Sequence, residues 1–474
     1  MDHFLSTAIN IICYTILGYF FLINTLYALF MILSFFGIFH YRHISFFVRV
    51  KEIFHLPLIK PISIIVPTYN EEQTIIESVQ SLLSLEYPLY EVIVVNDGST
   101  DLTLEKLILT FHLKKTFFVF RKSLETKPIK AIYTSTLNHK LIVVDKIRGQ
   151  KADALNAGLN IARYPLFCAI DSDSILEKDA LLKIVRPFIE DPEKAVAAGG
   201  IIRLSNGCLI KRGQVVKVGM PRNILARFQI IEYLRAFLGG RIALSILQSI
   251  LIISGAFGVF RKDTTLECGG YRTETIGEDM DLIIRMKKYL HQKKKPHRVY
   301  FIPDPICWTA APETLKSLAN QRKRWHIGLI ESLTHNFKML FNPRYGVTGL
   351  FAMPFYLIFE MLGPLIEFFG YIIFLIFIVL GRINYPYTVL FFLLAVIYGT
   401  LISLLSILLE EYSPHRFSRL SDILTLSLFA FLENILYRQF LTAVRFKAFF
   451  DFLLGKKEWG EIEKKGFSVK AAKT

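Results

Sequence analysis

The feature that most constrains the fold is an uncharged apolar stretch near the N-terminus. Residues 7–39, TAINIICYTILGYFFLINTLYALFMILSFFGIF, contain no charged side chain. A helix needs about 20 apolar residues to span the hydrocarbon core of a bilayer, so this stretch is long enough for one crossing. The preceding MDHFLS lacks the basic start of a cleaved signal peptide. The sequence therefore predicts a membrane anchor that stays attached to the chain.

Three further apolar blocks lie in the last third of the chain, at residues 347–380, 387–409 and approximately 423–444. The intervening region mixes short apolar runs with helical patterns and carries most of the charge, which is typical of a folded aqueous domain. We therefore expect four parts. They are an N-terminal transmembrane anchor (1–50), an aqueous domain (51–344), C-terminal transmembrane or interfacial helices (345–444) and a basic tail (445–474).

The basic residues that flank the spans predict the orientation. No Lys or Arg precedes the first span, whereas Arg42, Arg49 and Lys51 follow it. Because basic residues favour the cytoplasmic side, the N-terminus should lie outside and the large domain in the cytoplasm of an integral protein of the cell membrane. The tail is also placed inside by its lysines: Lys447, Lys456, Lys457, Lys464 and Lys465.

If the domain and the tail share one side, an even number of crossings separates them. Either the block 347–380 is a helix pair broken at MLGPL, which gives four crossings, or the last block lies in the interface and leaves two. The last block is interrupted by Glu433, Asn434, Arg438 and Gln439. We expect four crossings. Glu360 and Glu367 flank MLGPL and are costly in lipid, so they should face protein or a polar path.

The net charge of +16 is consistent with either nucleic acid or an anionic membrane surface as a partner. The lipid bilayer is favoured over nucleic acid, because the basic residues do not cluster with a known nucleic-acid-reading motif. The five cysteines form no CxxC pair, so neither a disulfide framework nor a zinc site is indicated.

Short apolar runs alternate with helical patterns in the aqueous region, which predicts an α/β fold with a mostly parallel sheet. The runs ISIIV, YEVIVV, KLIVV and PLFCAI each lead into polar residues. We expect Pro67 to close the first strand, because proline cannot donate to a ladder, and a helix to begin at Glu71 and Glu72. In open α/β sheets, ligands bind beyond the carboxyl ends of the strands, so these polar loops should converge on one site.

Asp171 and Asp173 follow the fourth run directly, in PLFCAIDSDS. Two like charges at the end of a buried strand repel each other unless a positive group lies between them. A solvated loop would remove part of this repulsion. Alternatively, a divalent cation such as Mg²⁺ would remove it, since hard cations are held by one or two carboxylates together with substrate phosphates.

Two later segments offer further polar groups. Asp279 lies in GEDMD at the start of an apolar helix, where it serves either as a helix-stabilising carboxylate or as a general base. In QRKRW, Gln321, Arg324 and Trp325 are three and four residues apart and share a helix face. This segment is either a basic amphipathic helix on the membrane or a site for phosphate and sugar, since Arg binds phosphate and Trp offers a flat ring surface.

Taken in order, VPTYNEE, VNDGSTD, DSDS, GED and QRKRW resemble the motifs of processive membrane-bound family-2 glycosyltransferases. This group contains the cellulose, hyaluronan and poly-N-acetylglucosamine synthases. The resemblance covers residues 62–325, and the flanking apolar blocks fit the same group. It implies a GT-A fold, a nucleoside-diphosphate sugar donor, a divalent cation (Mg²⁺ or Mn²⁺) and inversion at the anomeric carbon.

The resemblance also assigns roles to individual residues. Asp97 would bind the nucleotide base, with Pro67, Tyr69 and Glu71 in the same pocket, and Lys151 would approach the nucleotide or its phosphates. Asp171 and Asp173 match the DxD motif that binds the diphosphate and the metal. Asp279 matches the catalytic base, although Gly277 stands where relatives commonly have Thr. The residues of the QxxRW motif, Gln321, Arg324 and Trp325, would hold the diphosphate and the acceptor end of the product.

Three functions remain open at this point. The resemblance favours transfer of sugar, from a UDP-sugar, to a growing carbohydrate polymer that passes between the membrane helices. An enzyme of the same fold that adds one or a few sugars to a membrane lipid is the alternative. A silent membrane scaffold is disfavoured by the retained acidic residues. No regulatory domain is visible in the sequence, so an accessory subunit would have to supply any such control.

Overall fold

The computed structural model describes residues 2–47, 59–379, 385–412, 417 and 419–456 of the chain. Two predictions fall partly outside these residues. Arg49 and Lys51, which support the predicted orientation, are not among them, and neither is most of the basic tail.

The centre of the protein is a ten-stranded mixed sheet with the strand order β3-β4-β5-β2-β1-β6-β11-β8-β12-β7. The strands are β1 Ile62–Thr68, β2 Tyr90–Asn96, β3 Leu113–Lys115, β4 Ile129–Ser135, β5 Leu141–Lys146, β6 Leu166–Ile170, β7 Ser174–Leu176, β8 Ala195–Leu204, β11 Phe257–Arg261 and β12 Arg298–Thr309. A separate hairpin pairs β9 Leu209–Lys211 with β10 Gln214–Lys217. Seven strands of the large sheet run in one direction, because β4, β7 and β11 alone are antiparallel to their neighbours. The predicted mostly parallel sheet is confirmed.

Helices cover the sheet and continue into the apolar blocks. They are α1 Asp2–Phe47, α2 Ile75–Leu83, α3 Thr103–Thr110, α4 Gln150–Ile161, α5 Ala180–Ile184, α6 Arg186–Glu190, α7 Ile224–Leu234, α8 Ile242–Ile246, α9 Lys262–Glu267, α10 Glu278–Gln292, α11 Leu315–His335, α12 Met353–Phe355, α13 Gly363–Val379, α14 Tyr385–Phe392, α15 Gly399–Glu411, α16 Leu420–Leu432 and α17 Arg438–Leu453. Short 3-10 turns occupy Phe337–Met339 and Pro343–Tyr345. Wider π-helical turns occupy Arg235–Arg241, Thr348–Ala352, Tyr356–Met361, Leu393–Tyr398 and Glu433–Tyr437.

The end of β1 and the start of α2 differ from the prediction. Pro67 does not close β1 but lies inside it, in register with Val95 of β2. β1 pairs with β6 only as far as Ile65, so the missing N–H of Pro67 leaves no bond unmade on that side. Helix α2 begins at Ile75 rather than at Glu71, and the Thr74 hydroxyl donates to the Glu71 carboxylate at 2.7 Å.

Within the described part of the chain, four helical segments are long and apolar enough to cross a membrane: Asn10–His43, Thr348–Ile376, Tyr385–Glu411 and Leu420–Leu453. Only three of them follow the domain, so the four crossings expected after the domain are not found in the described residues. The block around MLGPL bends at Leu362 but forms one candidate span of 29 residues. Two crossings would need about 40 residues, which explains why this block does not form a membrane-crossing pair.

The last candidate span lies along the aqueous domain. Phe228 of α7 packs on Phe429 and Tyr437 with ring centroids 4.9 Å apart in both cases. Further along, the Asp451 carboxylate pairs with the Lys323 ammonium of α11 at 2.6 Å. The helix therefore contacts the aqueous domain in both of its halves. This arrangement is expected of a helix that lies in the membrane–water interface.

The aqueous domain and the membrane helices share one hydrophobic core. Phe30 and Met31 of α1 belong to the same buried cluster as the sheet residues. The hydroxyl of Ser34 donates to the carbonyl of Gly239 at 2.6 Å, and the guanidinium of Arg203, at the end of β8, forms a two-pronged pair with the Glu410 carboxylate of α15. Both side chains of this pair are buried, so the aqueous domain is fastened to the membrane helices by a desolvated ion pair.

Breaking the Arg203–Glu410 pair should destabilise the protein. Leaving one buried charge alone costs about 3–5 kcal/mol, whereas replacing both partners with apolar residues costs far less. We expect Arg203→Met and Glu410→Met each to lower the thermal midpoint in detergent, and the double variant Arg203→Met/Glu410→Met to lower it by less than the sum of the two single losses. Lys122→Gln, which breaks an exposed pair with Glu125, is the control and should leave the midpoint unchanged. Equal losses in the buried and exposed variants would contradict this interpretation.

Candidate active site

A cavity of about 1100 Å³ opens at the carboxyl edge of the sheet and brings the predicted site residues together. The following residues line it: Pro67, Tyr69, Glu71, Asp97, Lys151, Asp171, Asp173, Asp279, Gln321, Arg324 and Trp325. The convergence follows from the sheet, because β1, β2 and β6 are parallel and end at the same edge. Every residue that the motifs singled out as a site candidate therefore faces one space.

Tyr69 and Arg148 form one wall of this cavity. The Arg148 guanidinium lies 3.9 Å from the centre of the Tyr69 ring, and its Nη1 donates to the Tyr69 hydroxyl at 2.7 Å. The neighbouring Glu71 is buried and is held by the Thr74 hydroxyl. The motifs did not identify Arg148, because no periodic pattern marks it. It follows β5 at the sheet's carboxyl edge, and that position was the signal that could have found it.

Asp97 holds the loop that leads into α4. Its carboxylate accepts hydrogen bonds from Lys146 Nζ at 2.6 Å and from the backbone N–H groups of Gly149 and Gln150 at 2.9 and 2.7 Å. The Lys146 ammonium is fully buried and also lies 2.5 Å from the Asp153 carboxylate. Asp97 thus lines the cavity as predicted, and it also fixes the backbone from which Arg148 and Lys151 project.

Lys151 supplies a positive charge next to Asp171, one of the two carboxylates of the DSD loop. Its ammonium lies 2.6 Å from Asp171 Oδ1 and 3.4 Å from Glu278 Oε1. Burial alone would lower the pKa of Lys151, but the Asp171 and Glu278 carboxylates outweigh it and raise that pKa above its usual range. Burial, opposed by Lys151 and reinforced by the nearby Asp279, raises the pKa of Glu278. One cation thus joins the DSD loop to the first turn of α10.

Asp279 lies in the first turn of α10, with its carboxylate on the cavity wall. Its Oδ2 accepts from the backbone N–H of Gly255 at 3.1 Å and its Oδ1 from that of Met280 at 2.8 Å. Asp281, two residues on, is fully buried and paired with Arg285 at 2.7 Å. Asp281 thus has a structural role, whereas Asp279 lines the cavity and also binds an N–H group in the first turn of its own helix, so both interpretations of Asp279 stay predictions.

Gly277, where the resemblance would place Thr, lies at a point of close helix packing. Helices α10 and α11 meet at Gly277 and Gly328, where a Cβ on Gly328 would lie 2.9 Å from the Gly277 Cα. The Glu331 carboxylate holds the preceding loop by accepting from the Thr275 hydroxyl and the Ile276 N–H, both at 2.9 Å. A side chain at position 277 would meet the Gly328 carbonyl and the Ser332 hydroxyl, so the glycine is what allows the two helices to touch.

The QRKRW segment lies on α11, as predicted. Trp325 is 44% exposed and Arg324 is exposed, so both can reach a ligand in the cavity. Arg322, which the motif leaves unspecified, is instead buried, and its guanidinium contacts Trp325, Gln321 and Glu232. Sequence reasoning missed Arg322 and Glu232, because the contact joins segments 90 residues apart.

The cavity continues from the sheet edge between the membrane helices. Asn24, Tyr27, Glu360 and Glu367 line this part. The Tyr27 hydroxyl donates to Glu360 at 2.8 Å, and Glu367 accepts from Arg438 at 3.2 Å and from the Thr442 hydroxyl at 3.1 Å. Both glutamates thus face protein and the cavity, as predicted. Among the described residues no group of three or more metal-ligating side chains occurs.

The mixed sheet with paired carboxylates at its carboxyl edge is that of a GT-A glycosyltransferase. A solved structure supports the fold: a mannosyltransferase from Pyrobaculum calidifontis in complex with GDP-Man and Mn²⁺ aligns with a TM-score of 0.50 at 17% identity, covering 88% of this chain and 99% of that one. The family model described as glycosyl transferase family 2 matches residues 63–265, and that described as glycosyl transferase family group 2 matches residues 166–404, half of the chain. The chain belongs to this family of glycosyltransferases.

Curated relatives include poly-beta-1,6-N-acetyl-D-glucosamine synthases. The protein from Staphylococcus epidermidis is 30% identical over 300 residues, which cover 62% of this chain and 62% of the relative. The protein from Staphylococcus aureus strain COL is 30% identical over 300 residues, covering 62% of this chain and 61% of the relative. The chain thus matches about three fifths of the length of these relatives.

The contact of α10 with α11 predicts the effect of placing a threonine at position 277. Gly277→Thr should push the two helices apart, because its side chain has no space against Gly328, and lower stability by about 1–3 kcal/mol. Thermal unfolding in detergent measures this loss. Gly18→Ala is the matched control, since a Cβ on Gly18 meets no atom within 4 Å, and it should be neutral. A Gly277→Thr protein as stable as the parent would show that the helices do not pack this closely.

Proposed function

We propose that this protein is an inverting membrane glycosyltransferase that transfers sugar from a nucleoside-diphosphate sugar, a UDP-sugar, to a growing polysaccharide. The observation that carries the proposal is the single cavity. It joins the acidic residues at the sheet edge, the QRKRW segment and the polar residues between the membrane helices. The donor site, the acceptor site and the exit path for a polar product would then be parts of one continuous cavity.

The donor would occupy the part of the cavity at the ends of β1, β2 and β6. Tyr69 and Arg148 offer a flat wall for the nucleotide base, beside Pro67, Glu71 and Asp97. Asp171 and Asp173 supply oxygen ligands of the kind that Mg²⁺ or Mn²⁺ takes, and two carboxylates plus diphosphate oxygens form a suitable ligand set. The metal, when bound, would neutralise charge on the diphosphate. Lys151, already beside Asp171, would approach the phosphates.

Asp279 would serve as the general base. A sugar hydroxyl is a poor nucleophile, and a positioned carboxylate that takes its proton assists the attack on the anomeric carbon. The two backbone N–H groups that bind Asp279 keep its carboxylate oriented. Arg324 would stabilise the charge that develops on the leaving diphosphate, and attack from the opposite face inverts the anomeric configuration. Trp325 and Gln321 would hold the acceptor end, with the exposed indole ring under a sugar.

The product would leave between the membrane helices, along Tyr27, Glu360 and Glu367. In this arrangement the protein is integral to the cell membrane with its catalytic domain in the cytoplasm. The contacts of Leu420–Leu453 with the domain support the interfacial alternative for the last block, with two crossings after the domain. The boundary predicted between residues 444 and 445 falls inside α17, Arg438–Leu453, and the other domain boundaries stay predictions.

Lys151 allows a direct test of the metal site. Without the donor its ammonium competes with a cation for the Asp171 carboxylate, so Lys151→Met should bind Mn²⁺ more tightly, by roughly tenfold. The electron paramagnetic resonance signal of free Mn²⁺ gives the affinity without any turnover. Asp171→Asn is the control and should weaken binding. Unchanged or weaker Mn²⁺ binding by Lys151→Met would argue that the ammonium and the metal do not share this carboxylate.

The reaction is tested by nucleoside-diphosphate release from the purified full chain in lipid. A panel of UDP- and GDP-sugars is supplied with Mg²⁺ or Mn²⁺, and UDP-N-acetylglucosamine comes first because the curated relatives are named for that polymer. We expect release with one donor, lost in Asp279→Asn and on chelation, and a long product that becomes enclosed in sealed vesicles. A product of one or a few sugars on lipid would select the glycolipid alternative. Absence of release with every donor from a folded protein would contradict the proposal.

A further inference from the structure

Arg322 is the charged centre of the QRKRW segment. Its side chain is fully buried, and its Nη2 donates to Glu232 Oε2 of α7 at 2.8 Å. Its Nη1 donates to the amide oxygen of Gln321 at 2.9 Å. The guanidinium also lies 4.1 Å from the centre of the Trp325 ring. One guanidinium therefore contacts two of the three residues proposed for the acceptor site.

The chemistry of arginine suits this arrangement. A guanidinium is planar, donates in fixed directions and can stack on an aromatic ring at the same time, which a lysine ammonium cannot do. Glu232 provides the opposite charge that such a buried cation requires. Burial disfavours the charge of the Glu232 carboxyl, but Arg322 and Arg445 outweigh it and hold the pKa of Glu232 below its usual range, so the pair is ionic.

Glu232 also connects the acceptor site to the last helical block. The Tyr437 hydroxyl donates to Glu232 Oε2 at 2.8 Å, and the Arg445 guanidinium lies 3.9 Å from Glu232 Oε1. The Tyr437 ring stacks on Phe228, one turn before Glu232 on α7. Three helices, α7, α11 and α17, together with the π-helical turn that carries Tyr437, thus meet at one carboxylate.

We propose that Glu232 and Arg322 form a positioning pair that fixes the orientation of Trp325 and Gln321 and thereby sets how long the acceptor end is retained between transfers. This inference rests on the proposed glycosyl transfer. Arg322 acts through its neighbours, so its loss should weaken retention of the acceptor and shorten the product. The nucleotide pocket is built on β1, β2 and the loop after β5, whereas this pair is carried by α7 and α11, so donor binding should be unaffected.

The orientation of Trp325 can be measured without turnover. The chain has three tryptophans, Trp308, Trp325 and Trp459, so replacing the other two with Phe leaves Trp325 as the single fluorophore. In this background we expect Arg322→Lys and Glu232→Gln to change the emission maximum and to raise quenching by acrylamide, because the indole loses the guanidinium that packs on it. If the background does not fold, fluorine resonance of 5-fluorotryptophan in the otherwise native chain reports the same change.

Lys323→Gln is the matched control. Lys323 is the next residue on α11 and also pairs with the last block, through Asp451 at 2.6 Å, whereas the cation that packs on the Trp325 ring is Arg322. It should leave the Trp325 signal and the product length unchanged. A Trp325 signal that is the same in Arg322→Lys as in the parent would overturn the positioning role, whatever the activity.

Kinetics then separate positioning from general damage. In the Arg322→Lys protein the KM for an added acceptor should rise about tenfold while the KM for the donor stays the same, and the product should shorten. A lower kcat in the Arg322→Lys protein, with product length and the KM for the acceptor both unchanged, would overturn the proposal. If the parent protein itself releases no nucleotide, the proposed function fails, and the fluorescence result still decides whether the pair positions Trp325.

Discussion

Electrostatic repulsion among carboxylates at the carboxyl edge of the sheet is the constraint on which the site depends. Asp171, Asp173, Glu278 and Asp279 line one cavity, and the Lys151 ammonium lies against two of them. Lys151 in turn projects from a loop that the buried Lys146 and Asp97 hold in place. The acidic cluster can therefore exist without a ligand, while most of its charge remains available to bind cations and to accept protons. The proposed donor and base sites are connected by this single lysine.

The sequence was sufficient to predict those parts of the fold that depend on local pattern. Alternation of apolar runs with helical periods predicted the mostly parallel sheet, and the rule for carboxyl ends predicted that Asp97, Asp171 and Asp173 would converge. What it could not predict depends on long-range contacts. Pro67 is tolerated inside β1 because of where the pairing with β6 stops, and Arg322 is fixed by Glu232 on another helix. The helix pair expected around MLGPL is instead one bent span, because a bend in a helix and a turn between two helices look alike in sequence, and the number of crossings stays a prediction.

A buried ion pair and a shared hydrophobic core fix the aqueous domain to the membrane helices. The desolvated pair of Arg203 with Glu410 adds little net stability by itself, but it fixes the position of β8 relative to α15, because a buried ion pair requires its two charges to meet. Together with the shared core around Phe30 and Met31, it aligns the cavity at the sheet edge with the space between the helices. The continuity of this cavity therefore does not depend on a flexible hinge between the two parts.

The glycine contact between α10 and α11 has a consequence for motion. With Gly277 against Gly328, the two backbones touch and no side chain separates them. Asp279 near the start of one helix and Trp325 on the other are therefore joined through this backbone contact. A shift that moved these two groups apart would have to break the contact. If successive sugars are added as proposed, the carbohydrate can move past Trp325 while the two helices keep their contact.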